Sequence, residues 1–262
     1  NTSRLIVASI YFFSGLQKVN PVFVGGVFSW MIAPIANLLP SLLQIFPLSL
    51  GIVVPFLEMG IGLGLLTKKY RTHAIVLALL MLGFVLFTLG PLGHNWNSVV
   101  WPWNVAMALF VLILFWRAEK FSFRDVLWVK NFPFQKVVLV LFAIMPIFSF
   151  SNFWDSYLSS TLYSGNTNNA QIFVSDSVKQ RLPTEIQHYA TRTRENINAL
   201  DFFHWSFDEL NVPPYPEKRI YKDIARDFCK YADTNSDVVL VVNGKPTILN
   251  GDHSSNYDCS NL

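Results

Sequence analysis

The chain has 262 residues, of which 52% are hydrophobic and 14% charged. Soluble domains average about 25% charged residues, so the composition predicts a membrane protein with the lipid bilayer as its first partner. A formal charge of +3, with no basic patch carrying interleaved aromatics, excludes nucleic acid as an expected partner.

The apolar residues are unevenly placed. Residues 1–154 hold almost all the long apolar runs, and 155–262 read as an ordinary extramembrane domain. The first residue is Asn rather than Met, so a trimmed N-terminus or a fragment is expected. The first apolar run lacks a small-residue cleavage site and continues into Gln17 and Lys18, unlike a signal peptide.

In chain order, Arg4 precedes a first apolar run from Leu5 to Leu16. The stretch Val19 to Pro47 is apolar but is interrupted by Pro21, Pro34, Pro40 and Pro47. Proline removes a backbone donor and breaks helices, so short interfacial or re-entrant helices are expected here. The second span is Leu48 to Leu66, in which Glu58 is the only ionisable residue. A run of about 20 apolar residues is what a helix needs to cross the hydrocarbon core. A carboxylate inside such a run is costly and marks a candidate functional site. A third span covers His73 to Leu89, a fourth Val99 to Trp116 and a fifth Val137 to Trp154. Alternating crossings put Arg4, Lys68, Lys69, Arg71 and the basic residues of 117–136 on one side, with only Lys18 opposite. The positive-inside rule then places residues 155–262 outside the cytoplasm of a bacterial inner (plasma) membrane. The expected fold is an α-helical transmembrane bundle of four to five spans, plus a broken interfacial segment, with a C-terminal extracytoplasmic α+β domain.

In that domain Ala170–Val174 reads as a strand, and Ser175-Asp176-Ser177 offers N-caps before a helix over Val178–Leu182. Asp201–Leu210 reads as a short amphipathic helix. Leu210–Pro216 (LNVPPYP) reads as a specific loop rather than a linker. Glu217–Tyr231 is the best helix, with Ile220, Ile224 and Phe228 at i, i+4 and i+8. Val238–Val242, Asn243-Gly244 and Lys245–Leu249 form a β-hairpin pattern. Cys229 and Cys259 both fall here. An oxidising compartment permits a disulfide between them, and two unpaired thiols are the alternative. Their spacing matches neither a redox CxxC nor a zinc site, and His188, His204 and His253 match no metal motif, so no metal is expected.

Two patterns carry a family resemblance. The first is Arg4 with Tyr11-Phe12-Phe13-Ser14-Gly15-Leu16-Gln17-Lys18. The second is Pro55-x-x-Glu58 followed by Gly60, Gly62, Gly64 and a basic pair. Together they make residues 4–116 resemble the DoxX/MauE-type group of redox-associated membrane proteins, usually four-helix bundles. They also resemble, more distantly, the HTTM domain of vitamin K-dependent γ-carboxylase-like proteins. In the second family the lysine at the place of Lys18 is assigned as the active-site base.

The resemblance implies Lys18 and Glu58 as catalytic candidates. Glu58 reads as a structural carboxyl hydrogen-bonded between helices, as the ion-pair partner of Lys18, or as a proton-transfer group beside a quinone-like lipid cofactor. Lys18 reads as an interfacial lysine or as a base. His94, Trp96, Trp101 and Asn104 read as an interfacial belt or as a flat aromatic pocket for a quinone head group. The leading functional expectation is a redox-associated membrane protein with a quinone-like site. A non-catalytic anchor presenting its outer domain to a membrane-protein partner is the first alternative. A carboxylase-like modifying enzyme is the second. A transport pathway at Gly25-Gly26 and Pro34 is weaker still, because no inverted repeat accompanies it.

Overall fold

The computed structural model describes residues 1–40, 49–118, 121–127, 134–246 and 254–262. The chain divides into two compact units, Asn1–Asn166 and Thr167–Leu262.

The first unit is helical. Its elements are α1 (Thr2–Gln17), a π-helical turn Phe23–Phe28 that runs into α2 (Ser29–Ala36), α3 (Val54–Leu66), α4 (Arg71–Leu89), α5 (Val100–Phe115), α6 (Phe123–Leu127) and α7 (Gln135–Leu139). The last continues through a π-helical turn, Val140–Ile144, into a 3-10 segment, Met145–Ser151. Leu5, Ala8, Ile61, Leu65, Ala74, Ala78, Val111 and Phe115 meet in one core shared by α1, α3, α4 and α5. Phe121 belongs to the same core, with the Arg4 and Arg71 guanidinium carbons 4.3 and 3.7 Å from its ring centre.

This architecture corrects the expected fold class. Among the described helices only Arg71–Leu89 is long and apolar enough to cross a membrane. At about 1.5 Å per residue, the 13 residues of α3 rise roughly 20 Å and the 16 of α5 roughly 24 Å, short of a core of about 30 Å. The expected span Leu48–Leu66 loses its beginning. Leu48 lies outside the described residues, Leu50–Ile52 is a 3-10 turn, and Pro55 in the first turn starts the helix proper. The expected span Val137–Trp154 is divided among α7, the π-helical turn and the 3-10 segment, with Pro146 at the start of the last. An apolar run reports only hydrophobicity, whereas helix length is set by prolines and caps. The chain is α+β, a helical unit followed by a sheet-centred unit, and not a bundle of four to five spans. The five-fold alternation that sorted the basic residues into sides falls with the span count. Lys120 and Lys130, part of that count, lie outside the described residues, as do residues 41–47 of the broken segment.

The second unit is built on a five-stranded antiparallel sheet in the order β2-β3-β1-β4-β5. The strands are β1 (Asn169–Val174), β2 (Ala190–Arg192), β3 (Asn198–Leu200), β4 (Val238–Asn243) and β5 (Ser254–Asp258). Ile172 faces Leu200 on one side and Leu240 on the other. Strand β4 alternates, with Val238, Leu240 and Val242 buried, as a strand with one covered face does. That face is covered by α11 (Lys218–Phe228) through Tyr221, Ala225 and Phe228. Shorter helices α8 (Asp176–Arg181), α9 (Thr184–Gln187) and α10 (Phe202–Leu210) fill the connections. Ser175 Oγ accepts the Val178 amide at 3.3 Å and caps α8. The hairpin expected at Asn243-Gly244 is not the one formed. The partner of β4 is β5, with Asn243 opposite Ser254, and residues 247–253, which include His253, lie outside the described residues.

The sequence places the domain boundary after residue 154; in the structure residues 155–166 belong to the first unit. Hydrogen bonds account for this. Asn166 Nδ2 donates to Gln17 Oε1 at 2.6 Å, and Asn20 Nδ2 donates to the Ser164 carbonyl at 2.9 Å.

Candidate functional site

Helices α1 and α3 touch through glycines. A Cβ on Gly15 would lie 2.4 Å from the Pro55 carbonyl oxygen, and one on Gly62 would lie 2.6 Å from that of Ala8. Without side chains at these two points the backbones approach closely. That approach brings Lys18, at the C-cap of α1, to Glu58, on the second turn of α3.

The Lys18 ammonium donates to Glu58 Oε2 at 2.7 Å and to Ser14 Oγ, one turn back on α1, at 2.6 Å. The side chains are 9% and 7% exposed, so water does not screen the pair. The C-terminal end of α1 carries the negative end of the helix dipole, which favours a cation there. The Phe23 ring centre lies 5.9 Å from Lys18 Nζ and forms an apolar side of the site.

Tyr11 stands two turns before Lys18 on α1 and is 3% exposed. Burial, and then the charge of Glu58, hold its hydroxyl in the neutral, protonated form. Among the described residues, no hydrogen-bond partner reaches it. A buried hydroxyl without a partner costs roughly 1–3 kcal/mol, so this one is an open donor on the face of α1 that, at i+3 and i+7, also carries Ser14 and Lys18.

A second polar layer lies against the same helix end. Gln17 Nε2 donates to Ser149 Oγ at 2.7 Å, and Asn20 Oδ1 accepts the Phe23 amide at 2.8 Å. Together with Asn166 these residues fix the turn that follows α1, and so fix Lys18. Sequence reasoning passed over Tyr11 as a donor and over Gln17 and Asn20 as supports. The signal available was their polarity inside an apolar run, next to Lys18.

The other expected residues form a separate feature. The segment 90–98 folds back on the end of α4. The His94 amide donates to the Thr88 carbonyl at 2.7 Å and the Trp96 amide to the Leu89 carbonyl at 2.9 Å. Asn95 and Asn97 sit at φ 49° and 50°, which asparagine tolerates better than most residues. His94 stacks on Trp30 with ring centres 4.3 Å apart, and Nε2 of its ring lies 2.7 Å from the Trp30 carbonyl. Trp96 meets Trp30 edge-on at 6.1 Å, and Tyr163 stacks on it at 6.4 Å. Burial pushes the Tyr163 hydroxyl up to about 12, against the downward pull of the Asn97 amide that donates to it. Trp101 Nε1 donates to the Leu89 carbonyl at 3.1 Å, and Asn104 Nδ2 to the Val100 carbonyl on its own helix at 2.8 Å. The structure thus brings His94 and Trp96 together around Trp30 and Tyr163, neither of which the sequence singled out. The indole N–H of Trp101 and the side-chain N–H of Asn104 are engaged by the main chain.

In the second unit Cys229 and Cys259 form a disulfide. Among the described residues, no group of His, Cys, Asp or Glu is arranged to hold a metal. Comparison with protein-family models, with curated proteins and with solved structures finds no match.

Proposed function

We propose that the protein is a redox-associated membrane protein in which Lys18 and Glu58 form the acid–base centre of a site for a quinone-like lipid. The observation that carries this reading is the buried Lys18–Glu58 pair, with an unpartnered Tyr11 hydroxyl on the same face of α1. A buried ionisable pair next to an unsatisfied donor fits a ligand that accepts hydrogen bonds and brings its own apolar body. The DoxX/MauE-type resemblance supports it, because its two motifs lie on the two helices that touch.

A quinone, when bound, supplies a two-electron couple whose carbonyl oxygens accept hydrogen bonds and protons. The chain's own residues do the rest. Tyr11 would donate its free O–H to a carbonyl oxygen. Lys18 holds a proton at Nζ, and Glu58 and Ser14 fix its direction. Phe23 excludes water from one side. His94, Trp96 and Trp101 close the 90–98 loop and Asn104 donates to its own helix, so the head group falls to Tyr11, Lys18 and Glu58.

Two features support a membrane location. Leu80, Leu109, Ile113, Val137, Ile147 and Phe153 are all more than half exposed, and large exposed apolar surface marks contact with lipid or protein. Arg71–Leu89 has the length to span. The Cys229–Cys259 disulfide supports placing the second unit outside the cytoplasm.

The test is binding of decylubiquinone to the purified full chain, followed by calorimetry, together with quinone analysis of co-purifying lipid. Saturable binding that Tyr11→Phe weakens about tenfold, the value of one or two hydrogen bonds, is the expected result. Tyr11→Phe keeps the ring and its packing, so folding is preserved. Absence of both co-purified quinone and saturable binding overturns the reading, as does a Tyr11→Phe protein that binds like its parent.

A further inference from the structure

The Leu210–Pro216 loop has no part in the site described above. In the second unit it forms one wall of a groove of about 450 Å³. The floor is Phe202, Trp205, Ile186 and Ile224, the walls include Pro183, Pro214 and Tyr215, and Glu185 and Glu209 stand at the rim.

The groove is preformed. Trp205 is held by Phe202, Tyr189 and Phe228, with ring centres 6.3 to 6.4 Å away. The loop is pinned where Ser206 Oγ donates to the Val212 carbonyl at 2.8 Å. Asn211 ends α10 at φ 54°, and the prolines that follow fix their own φ. A binding surface of this kind loses little entropy when it is occupied.

Its chemistry selects a cation. Two carboxylates and two indole or phenol rings line it, and Lys or Arg is not among the lining residues. The unit around it carries thirteen Asp and Glu against ten Lys and Arg. Aromatic faces attract ammonium and guanidinium groups, and a guanidinium also forks onto carboxylates. Its openness selects a polypeptide. Pro183, Glu185, Glu209 and Tyr215 are exposed, whereas sites for small ligands enclose most of the ligand's surface. We infer that this groove docks an extended polypeptide segment carrying an arginine flanked by apolar residues, with the guanidinium between Glu185 and Glu209 and the flanking side chains on Trp205 and Ile224. The segment belongs to a partner protein, and the inference stands independently of the quinone reading.

The experiment is fluorescence anisotropy with the purified full chain and labelled acetyl-Ala-Leu-Arg-Leu-Ala-amide, its citrulline analogue, and free arginine amide as competitor. The arginine peptide is expected to bind saturably and the citrulline peptide roughly tenfold more weakly. Glu185→Gln and Glu209→Gln, at exposed positions that leave the fold alone, are each expected to weaken binding about threefold. Trp205→Ala should abolish binding, and the two glutamine variants decide the matter if that protein does not fold. No saturable binding, equal binding of the citrulline peptide, or unchanged affinity in Glu185→Gln/Glu209→Gln overturns the inference. Displacement by arginine amide at the concentration at which unlabelled peptide displaces overturns the choice of a polypeptide.

Discussion

Glu58→Gln leaves the Lys18 ammonium inside the first unit with Ser14 as its remaining close acceptor. The exposure of the pair decides the magnitude. With side chains 9% and 7% exposed, neither charge recovers hydration when its partner is removed. Breaking a buried pair from one side costs about 3–5 kcal/mol. At roughly 2–4 °C per kcal/mol for a chain of this size, the melting temperature falls on the order of 10 °C. Lys18→Met should cost a similar amount by stranding the carboxylate. The double variant Lys18→Met/Glu58→Leu fills the same space with apolar groups and should recover most of the loss. The assay is a double-mutant cycle by urea denaturation of the four purified proteins, with slopes compared to confirm a common transition. Single variants that each cost under about 1 kcal/mol, as exposed pairs do, would refute the argument that this pair is shielded from solvent.

Three further outcomes are expected. Gly15→Ala forces a methyl against the Pro55 carbonyl; it should cost about 1–3 kcal/mol and lower decylubiquinone affinity, and a neutral effect in both denaturation and calorimetry would contradict the close α1–α3 approach. Cys229→Ser/Cys259→Ser opens a loop with a sequence separation of 30. By loop entropy this costs about 3.6 kcal/mol, read as a lower urea midpoint that dithiothreitol reproduces in the parent protein. The hydrogen bond from His204 to Asp201, and then the charge of that carboxylate, raise the imidazole above its ordinary 6.5. The pair therefore contributes fully below pH 6.5 and its contribution is lost as pH rises through the folded value. An NMR titration should place His204 above 6.5, and Asp201→Asn should bring it down; an unshifted titration in that variant removes the argument.

Much of the second unit was legible locally. The cap residues Ser175-Asp176-Ser177, the period of Ile220, Ile224 and Phe228, and the alternation of Val238–Val242 are short-range signals, and each marks an element that forms. The expected hairpin does not form because Asn243-Gly244 is good turn chemistry in any context, while pairing depends on which strand reaches β4, and β5 does. In the first unit the apolar runs located the helices but overstated their length. Hydrophobicity continues through Pro55 and Pro146, and the helices do not.

The sequence by itself determined which residues were chemically out of place: a lysine and a carboxylate inside apolar stretches, and two cysteines in the same domain. It also placed glycines on both helices, but only the structure decides that Gly15 and Gly62 are the ones at the contact while Gly60 meets nothing. Only the tertiary structure decided that Lys18 and Glu58, forty positions apart, share one hydrogen bond, and that the Tyr11 hydroxyl beside them has no partner among the described residues. Only the tertiary structure gathered Trp205, Tyr215, Glu185 and Glu209 around one groove. The physical reason is the same in each case. Charge, shape and helix preference belong to single residues, but burial and hydrogen-bond satisfaction are properties of what the rest of the chain brings alongside.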